Sequence, residues 1–190
     1  MRWDRLFDDL EGQLEQELAA EEIDLGAEEE RLRLARLSLR DRLAALARAE
    51  TAVRVVLRDG VALPVRLSTV GRDWFAGALA SGAGSGEVVI PLDAVASLVV
   101  EDAALLASAA AEAATDLSAR LGLGFALRDL CRRRLAVDVA TVAGDLHGTI
   151  DRVGRDHLDL AEHERGEPRR ASAVARTRLV PLSAVLVVRW

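Results

Sequence analysis

The sequence has no lysine, no tyrosine and a single cysteine, Cys131. One cysteine excludes an intrachain disulfide and reads as a small packing residue. Aromatic residues make up 3% of the 190 positions. That leaves few of the stacking platforms on which single-stranded nucleic acids are held. Long apolar runs are missing as well. A membrane helix needs about 18–20 apolar residues, and the longest candidate, Val88 to Val100, is interrupted by Pro91 and Asp93. The opening Met1-Arg2-Trp3-Asp4-Arg5 turns acidic at once, without the basic start and apolar stretch of a secretory signal. These absences predict a cytoplasmic protein with no membrane partner.

What is present is apolar bulk and unevenly placed charge. Hydrophobic residues are 51% and charged residues 29%, with a net charge of −6. Residues 1–30 hold twelve acids and two arginines, a balance of −10. Residues 31–119 hold ten of each, and residues 120–190 hold thirteen arginines and nine acids, a balance of +4. An acidic head and a basic tail can attract one another within or between chains.

Four blocks of sequence recur in the same order. Val53-Arg54-Val55-Val56-Leu57-Arg58-Asp59-Gly60 is answered by Val137-Asp138-Val139-Ala140-Thr141-Val142-Ala143-Gly144. Val70-Gly71-Arg72-Asp73-Trp74 returns as Val153-Gly154-Arg155-Asp156-His157, and Ile90-Pro91-Leu92-Asp93-Ala94-Val95 as Val180-Pro181-Leu182-Ser183-Ala184-Val185. In the helix before each copy, Leu39-Arg40-Asp41 matches Leu127-Arg128-Asp129. Internal repetition of this kind marks a duplicated unit. Each copy reads as five short strands. Asp59-Gly60 signals a hairpin, Gly71-Arg72-Asp73 a second turn, and the proline of Pro91-Leu92-Asp93 a third. The second copy carries seven extra residues before its proline turn.

Five short strands behind a helix, with a one-turn helix between strands four and five, resemble the SH3-like and Sm-like small β-barrels. The alanine-, leucine-, valine- and arginine-rich composition resembles that of a high-GC actinobacterial protein. The resemblance covers about residues 39–100 and 125–190, and closing each copy into a barrel would remove its exposed edges. It implies an α+β chain: a helical hairpin over 1–50, a first five-stranded barrel over 51–100, a helical connector over 101–134 and a second barrel over 135–190. Gly148-Thr149-Ile150 resembles the start of the first Sm motif. Gly154 and Leu158 stand where that family has its RNA-binding Asp and Asn, and Pro91-Leu92 and Pro181-Leu182 replace its Arg-Gly. The family's RNA pocket is therefore not carried over, and fold alone does not supply function.

Outside the repeats, Trp3, Leu6, Phe7, Leu10, Leu14 and Leu18 recur at helical spacing, which predicts an amphipathic helix over 3–22. Asp24-Leu25-Gly26 is expected to end it. Glu28-Glu29-Glu30 would open a second helix with the stripe Leu32, Ala35, Leu39, Leu43 and Leu46. Asp102 to Leu121 reads as helical, Gly122 and Gly124 as a break, and Phe125 to Arg134 as a short helix.

No catalytic, cofactor or small-molecule site emerges. The three histidines, His147, His157 and His163, occupy variable strand or loop positions, with His157 in the place of Trp74 and His147 in that of Leu63, and a metal site is not expected. Gly82, Gly84 and Gly86 lack the Lys-Ser/Thr of a phosphate loop, and no serine sits in a nucleophile elbow. The expected function is non-catalytic: a protein-interaction or scaffold protein that binds a partner, or itself, through residues 1–50. Its candidate contacts are Trp3, Phe7, Trp74 and His157. The alternative is an RNA-binding or regulatory protein that uses the arginine-rich loop 161–178, with Arg169, Arg170, Arg176 and Arg178.

Overall fold

The computed structural model describes residue 22 and residues 25–80, 86–110, 117–166, 169–170 and 172–190. Of the segment expected to form the first helix, residues 3–21, with Trp3 and Phe7, lie outside the described residues. Helix α1 covers residues 25–36 and α2 covers Leu39–Arg48. Leu25 and Gly26 are thus helical, where a break was expected, and the single second helix is interrupted at Leu37-Ser38. α1 belongs to a compact unit that ends at Ser38; α2 and everything after it form another.

In the larger unit, strands β1 (Ala52–Leu57), β2 (Ala62–Val70), β3 (Trp74–Leu79), β4 (Glu87–Pro91) and β5 (Val95–Val99) come first. Helices α3 (Asp102–Ala109) and α4 (Leu123–Arg133) follow, with a 3₁₀ turn at Leu117–Arg120 between them. Gly122 is the N-cap of α4 and Gly124 is inside it. Then come β6 (Ala136–Thr141), β7 (Gly144–Val153), β8 (His157–Glu162), β9 (Arg176–Pro181) and β10 (Val185–Arg189). No helix among the described residues is long and apolar enough to cross a membrane.

The expected pair of closed five-stranded barrels is not what forms. All ten strands join one open antiparallel sheet in the order β5-β1-β2-β3-β4-β10-β6-β7-β8-β9. A closed barrel would need β4 to bond to its own β5. Instead its outer edge is taken by β10, with Val188 opposite Val89 and Arg189 opposite Val88. Glu87 and Trp190 extend the ladder with two reciprocal backbone hydrogen bonds of 3.1 Å. The edge problem that motivated closure is met by sharing one edge between the halves.

The halves run in the same strand order and carry the same irregularities. β2 against β3 shifts register between Leu67 and Thr69, and β7 against β8 between Ile150 and Arg152. β1 against β5 shifts near Leu57, and β6 against β10 near Val185. The helices before each half end alike. Glu50 (φ +47°) and Arg134 (φ +51°) both take the left-handed conformation, and the residue after each bonds back to a helical carbonyl, Thr51 to Leu46 and Leu135 to Leu130. Aligned on these caps, the buried Leu43 and Leu46 match Leu127 and Leu130. The Leu-Arg-Asp match is one helical turn out of that register. The first hairpins differ by one residue: Asp59 Oδ1 accepts from Val61 N at 2.9 Å around Gly60 (φ +86°), whereas Val142-Ala143 alone separates Thr141 from Gly144. His147 faces Asp138 as Pro64 faces Arg54, so it corresponds to Pro64 and not to Leu63.

Two hydrophobic clusters share the central strands. The first gathers α2 and β1–β5 with Leu43, Val55, Leu67, Phe75 and Ile90; the second gathers α4 and β6–β10 with Leu127, Val139, Ile150 and Leu160. β10 serves both, Leu186 and Val187 in the first and Val185 and Val188 in the second, while β4 gives Val88 and Ile90 to one and Val89 to the other. Each half also needs a glycine where β2 meets β3 or β7 meets β8. A Cβ on Gly77 would overlap the Arg66 carbonyl, and one on Gly148 the Ala161 carbonyl. Gly148→Ala is therefore expected to lower unfolding free energy by about 2–3 kcal/mol, because backbone must move. Gly144→Ala should cost less than that, since only its φ of +119° is strained and nothing crowds its Cβ. Urea denaturation of the two variants checks the order.

Candidate interaction surface

The repeated turn is a structural clamp. In both copies the residue after Arg-Asp lays its ring over the glycine: a Cβ on Gly71 would overlap Trp74, and one on Gly154 would overlap His157. The same backbone bonds close both turns, Gly71 N to Trp74 O and Gly154 N to His157 O at 2.8 Å, with Leu92 N on Asp73 O and Leu182 N on Asp156 O. Helical arginines reach each glycine carbonyl, Arg40 Nε to Gly71 at 2.9 Å and Arg128 Nη2 to Gly154 at 3.4 Å.

Trp74 is not displayed for binding. It is 7% exposed, and its Nε1 donates to the Leu121 carbonyl at 2.9 Å. Arg72 N donates to the same carbonyl, and Asp73 Oδ1 accepts from Leu123 N at 2.6 Å. That last bond satisfies one of the free donors at the start of α4. Trp74 and Asp73 thus fasten the connector to the first half. His157 has no such cover. It is exposed, with Nδ1 at 2.9 Å from Asp156 Oδ1, an interaction that holds the Asp156 carboxyl below its usual range.

Four of the five arginines in and beside the long loop pair with carboxylates. Arg169 makes a bidentate pair with Asp151, at 3.0 and 2.6 Å, which raises the arginine's own pKa. Arg176 bonds to Glu162 at 2.6 Å, and Arg178 to the same carboxylate. Arg165 reaches Asp138 at 2.8 Å. Arg170 is exposed, and its carbonyl accepts from Ala173 N and Val174 N. A stretch that reads as a basic patch is mostly ion-paired to Asp138, Asp151 and Glu162 on β6, β7 and β8.

Beside these pairs lies an open polar cavity of about 610 Å³, lined by His147, Glu162, His163, Ser172, Arg176 and Arg178 among others. His163 is buried. Its Nδ1 lies 3.0 Å from the Glu164 carbonyl, so Nδ1 carries the proton, and Nε2 then accepts the Thr149 hydroxyl at 2.9 Å. His147 Nδ1 lies 2.7 Å from Asp138 Oδ1, and the two imidazoles meet edge to face at 5.3 Å. The His147 Nε2 is buried and unbonded among the described residues. No cluster of three metal-ligating side chains occurs among those residues. The structure thus brings together Arg176, Arg178 and two of the three histidines, and leaves Trp74, His157 and Arg169 elsewhere. Sequence reasoning overlooked Glu162 and Asp151, whose only signal was their position on strands facing the arginine loop.

Exposed apolar side chains include those of α1 and of the sheet edges. α1 presents Leu25, Leu32 and Leu34 to solvent, with no buried residue over 25–36, and its ion pairs are local, Glu28 with Arg31 and Glu30 with Arg33. Among the described residues the sheet ends in two unpaired edges, β5 and β9. Next to β5 an apolar cleft of about 300 Å³ opens between α2 and α3, lined by Leu39, Leu43, Leu46, Val95 and Leu98 among others. Arg42 crosses its rim to the Ser108 hydroxyl and the Leu105 carbonyl, both bonds near 3.0 Å.

The hydrogen bonds from Arg178 and then Arg176 hold the Glu162 carboxyl below its usual value of 4.5. A depressed carboxylate stabilises the fold above the unfolded-state pKa, and that stabilisation is lost as pH falls through the folded value. Glu162→Gln is therefore expected to destabilise at neutral pH and to flatten the loss of stability below pH 4.5. Denaturation of both proteins at neutral pH and at about pH 3 reads the difference. An equal gap at both pH values would contradict this assignment. No protein-family model matches this chain, and no curated protein is significantly similar to it.

Proposed function

We propose that this chain is a non-catalytic protein-interaction scaffold, in which an internally duplicated sheet carries a helix that docks onto a partner protein. The observation that carries the reading is α1. Over its described residues, 25–36, this helix holds three exposed leucines and buries none of its side chains. Leu25 and Leu32 lie two turns apart on one side, the spacing with which a helix seats in an apolar groove. Burying each would contribute about 1.5–3 kcal/mol.

Two observations rank the alternatives lower. Of the four arginines that suggest RNA binding, Arg169, Arg176 and Arg178 hold Asp151 or Glu162. Among the described residues no hydroxyl or thiol bonds to His147 Nε2, as a hydrolytic triad built on the His147–Asp138 pair would need.

Tagged full-length protein isolated from its native cell is expected to bring down a stoichiometric protein partner with a protein-like 260/280 absorbance ratio. Leu25→Ser with Leu32→Ser should lose that partner while keeping the melting temperature of the sheet. Retention of the same partner by the double variant would sink the helix reading, and a nucleic-acid-like ratio abolished by salt would favour the RNA reading.

A further inference from the structure

We propose that the sheet is extended by a second copy of this chain, with β9 of one copy pairing antiparallel with β5 of the next. The template is the β4–β10 join inside the chain. Each half places its strands in the same order, so the strand that matches β4 is β9 and the strand that matches β10 is β5. Both are open edges. The correspondence of Pro91 with Pro181 carries the internal register over. Val89 opposite Val188 becomes Leu179 opposite Leu98, and Val88 opposite Arg189 becomes Arg178 opposite Val99.

The side chains support the same join. Val89 is 3% exposed because it belongs to the second half's cluster, with Leu123, Leu127, Leu130, Val185 and Val188. Its counterpart Leu179 is 69% exposed. The counterparts of that receiving cluster are Leu39, Leu43, Leu46, Val95 and Leu98, and these line the cleft beside β5. Leu39 is 47% exposed where Leu123 is 7%. The cleft is thus the equivalent of a site that is filled within the chain at the central join, and Leu179 is the equivalent of the residue that fills it. Charge agrees in sign. On β9, Arg176 and Arg178 share the single carboxylate of Glu162, which leaves this edge positive; β5 runs into Glu101 and Asp102. Such a contact is head-to-tail, using different surfaces on the two copies, so it propagates to rings or filaments unless an edge is blocked.

The full chain is expected to exceed its 20.4 kDa monomer mass in sedimentation velocity as concentration rises from low micromolar to near-millimolar. Val99→Arg sets a second cation against Arg178, and Leu179→Glu sends a charge into the apolar cleft. Each variant alone should be monomeric with unchanged circular dichroism and melting temperature. Mixed in equal amounts, they should form a one-to-one dimer and nothing larger, since each keeps the edge the other lost. Ser97→Arg, at another exposed position of β5, replaces Val99→Arg if that variant melts early. A wild type that stays monomeric throughout overturns the proposal, as does a mixture that fails to dimerise. Assembly that survives both edge variants but is lost in Leu25→Ser with Leu32→Ser would place self-association on α1 and equally overturn it.

Discussion

The pairing of β4 with β10 is the constraint on which the rest of the larger unit depends. It joins two five-stranded sets into one sheet, and it does so with strands that are apolar on both faces. Val88, Val89 and Ile90 are buried in succession, as are Val185 to Val188. Side chains of successive residues on a strand point to opposite faces, so each of these strands feeds both hydrophobic clusters at once. The clusters are consequently not independent. Loss of the central ladder would uncover apolar surface in both halves together.

The connector is positioned by a second, smaller set of contacts. Trp74, Asp73 and the backbone of Arg72 grip Leu121 and Leu123, and so set where α4 begins. α4 then packs on the second half through Leu123, Leu127 and Leu130. The Gly-Arg-Asp turn thus does one job twice, covering its own glycine with a ring, and a further job once, in the first copy. That asymmetry accounts for tryptophan in one copy and histidine in the other: the tryptophan has a carbonyl to bond and a helix start to cover, and the histidine faces solvent. The arginine loop follows a similar rule. Arg165 and Arg169 pair with Asp138 on β6 and Asp151 on β7, and these pairs fasten the loop to the sheet.

Much of this was legible in the residues. The repeat blocks and turns marked out five strands per copy, because alternation of apolar residues and glycine or proline turns are local signals. Asp59-Gly60 made its hairpin, and the proline turns made their one-turn helices. The extent of helix was read less well. Leu25-Gly26 continued as helix although glycine usually ends one, and Leu37-Ser38 interrupted a stripe that had no breaker. The site residues fared unevenly: Trp74 looked like a contact and is an anchor, while Glu162 signalled itself only by its position, since an acid on a strand is informative once its cross-strand neighbours are known.

What the sequence alone determined is therefore the local grammar: ten strands, their turns, the helices before each half, and the order in which these recur. What only the tertiary structure decided is which strand meets which across the repeat. Five strands of this length can close on themselves or share an edge with a neighbouring set, and both satisfy the same hydrogen bonds. The choice rests on burial. Glu87-Val88-Val89-Ile90 and Val185-Leu186-Val187-Val188 have apolar side chains for two faces, whereas Val95-Ala96-Ser97-Leu98 and Arg176-Thr177-Arg178-Leu179 do not. A strand buried on both faces belongs at the centre of a sheet and a half-polar one at its rim, but the partner of each is a property of the folded whole.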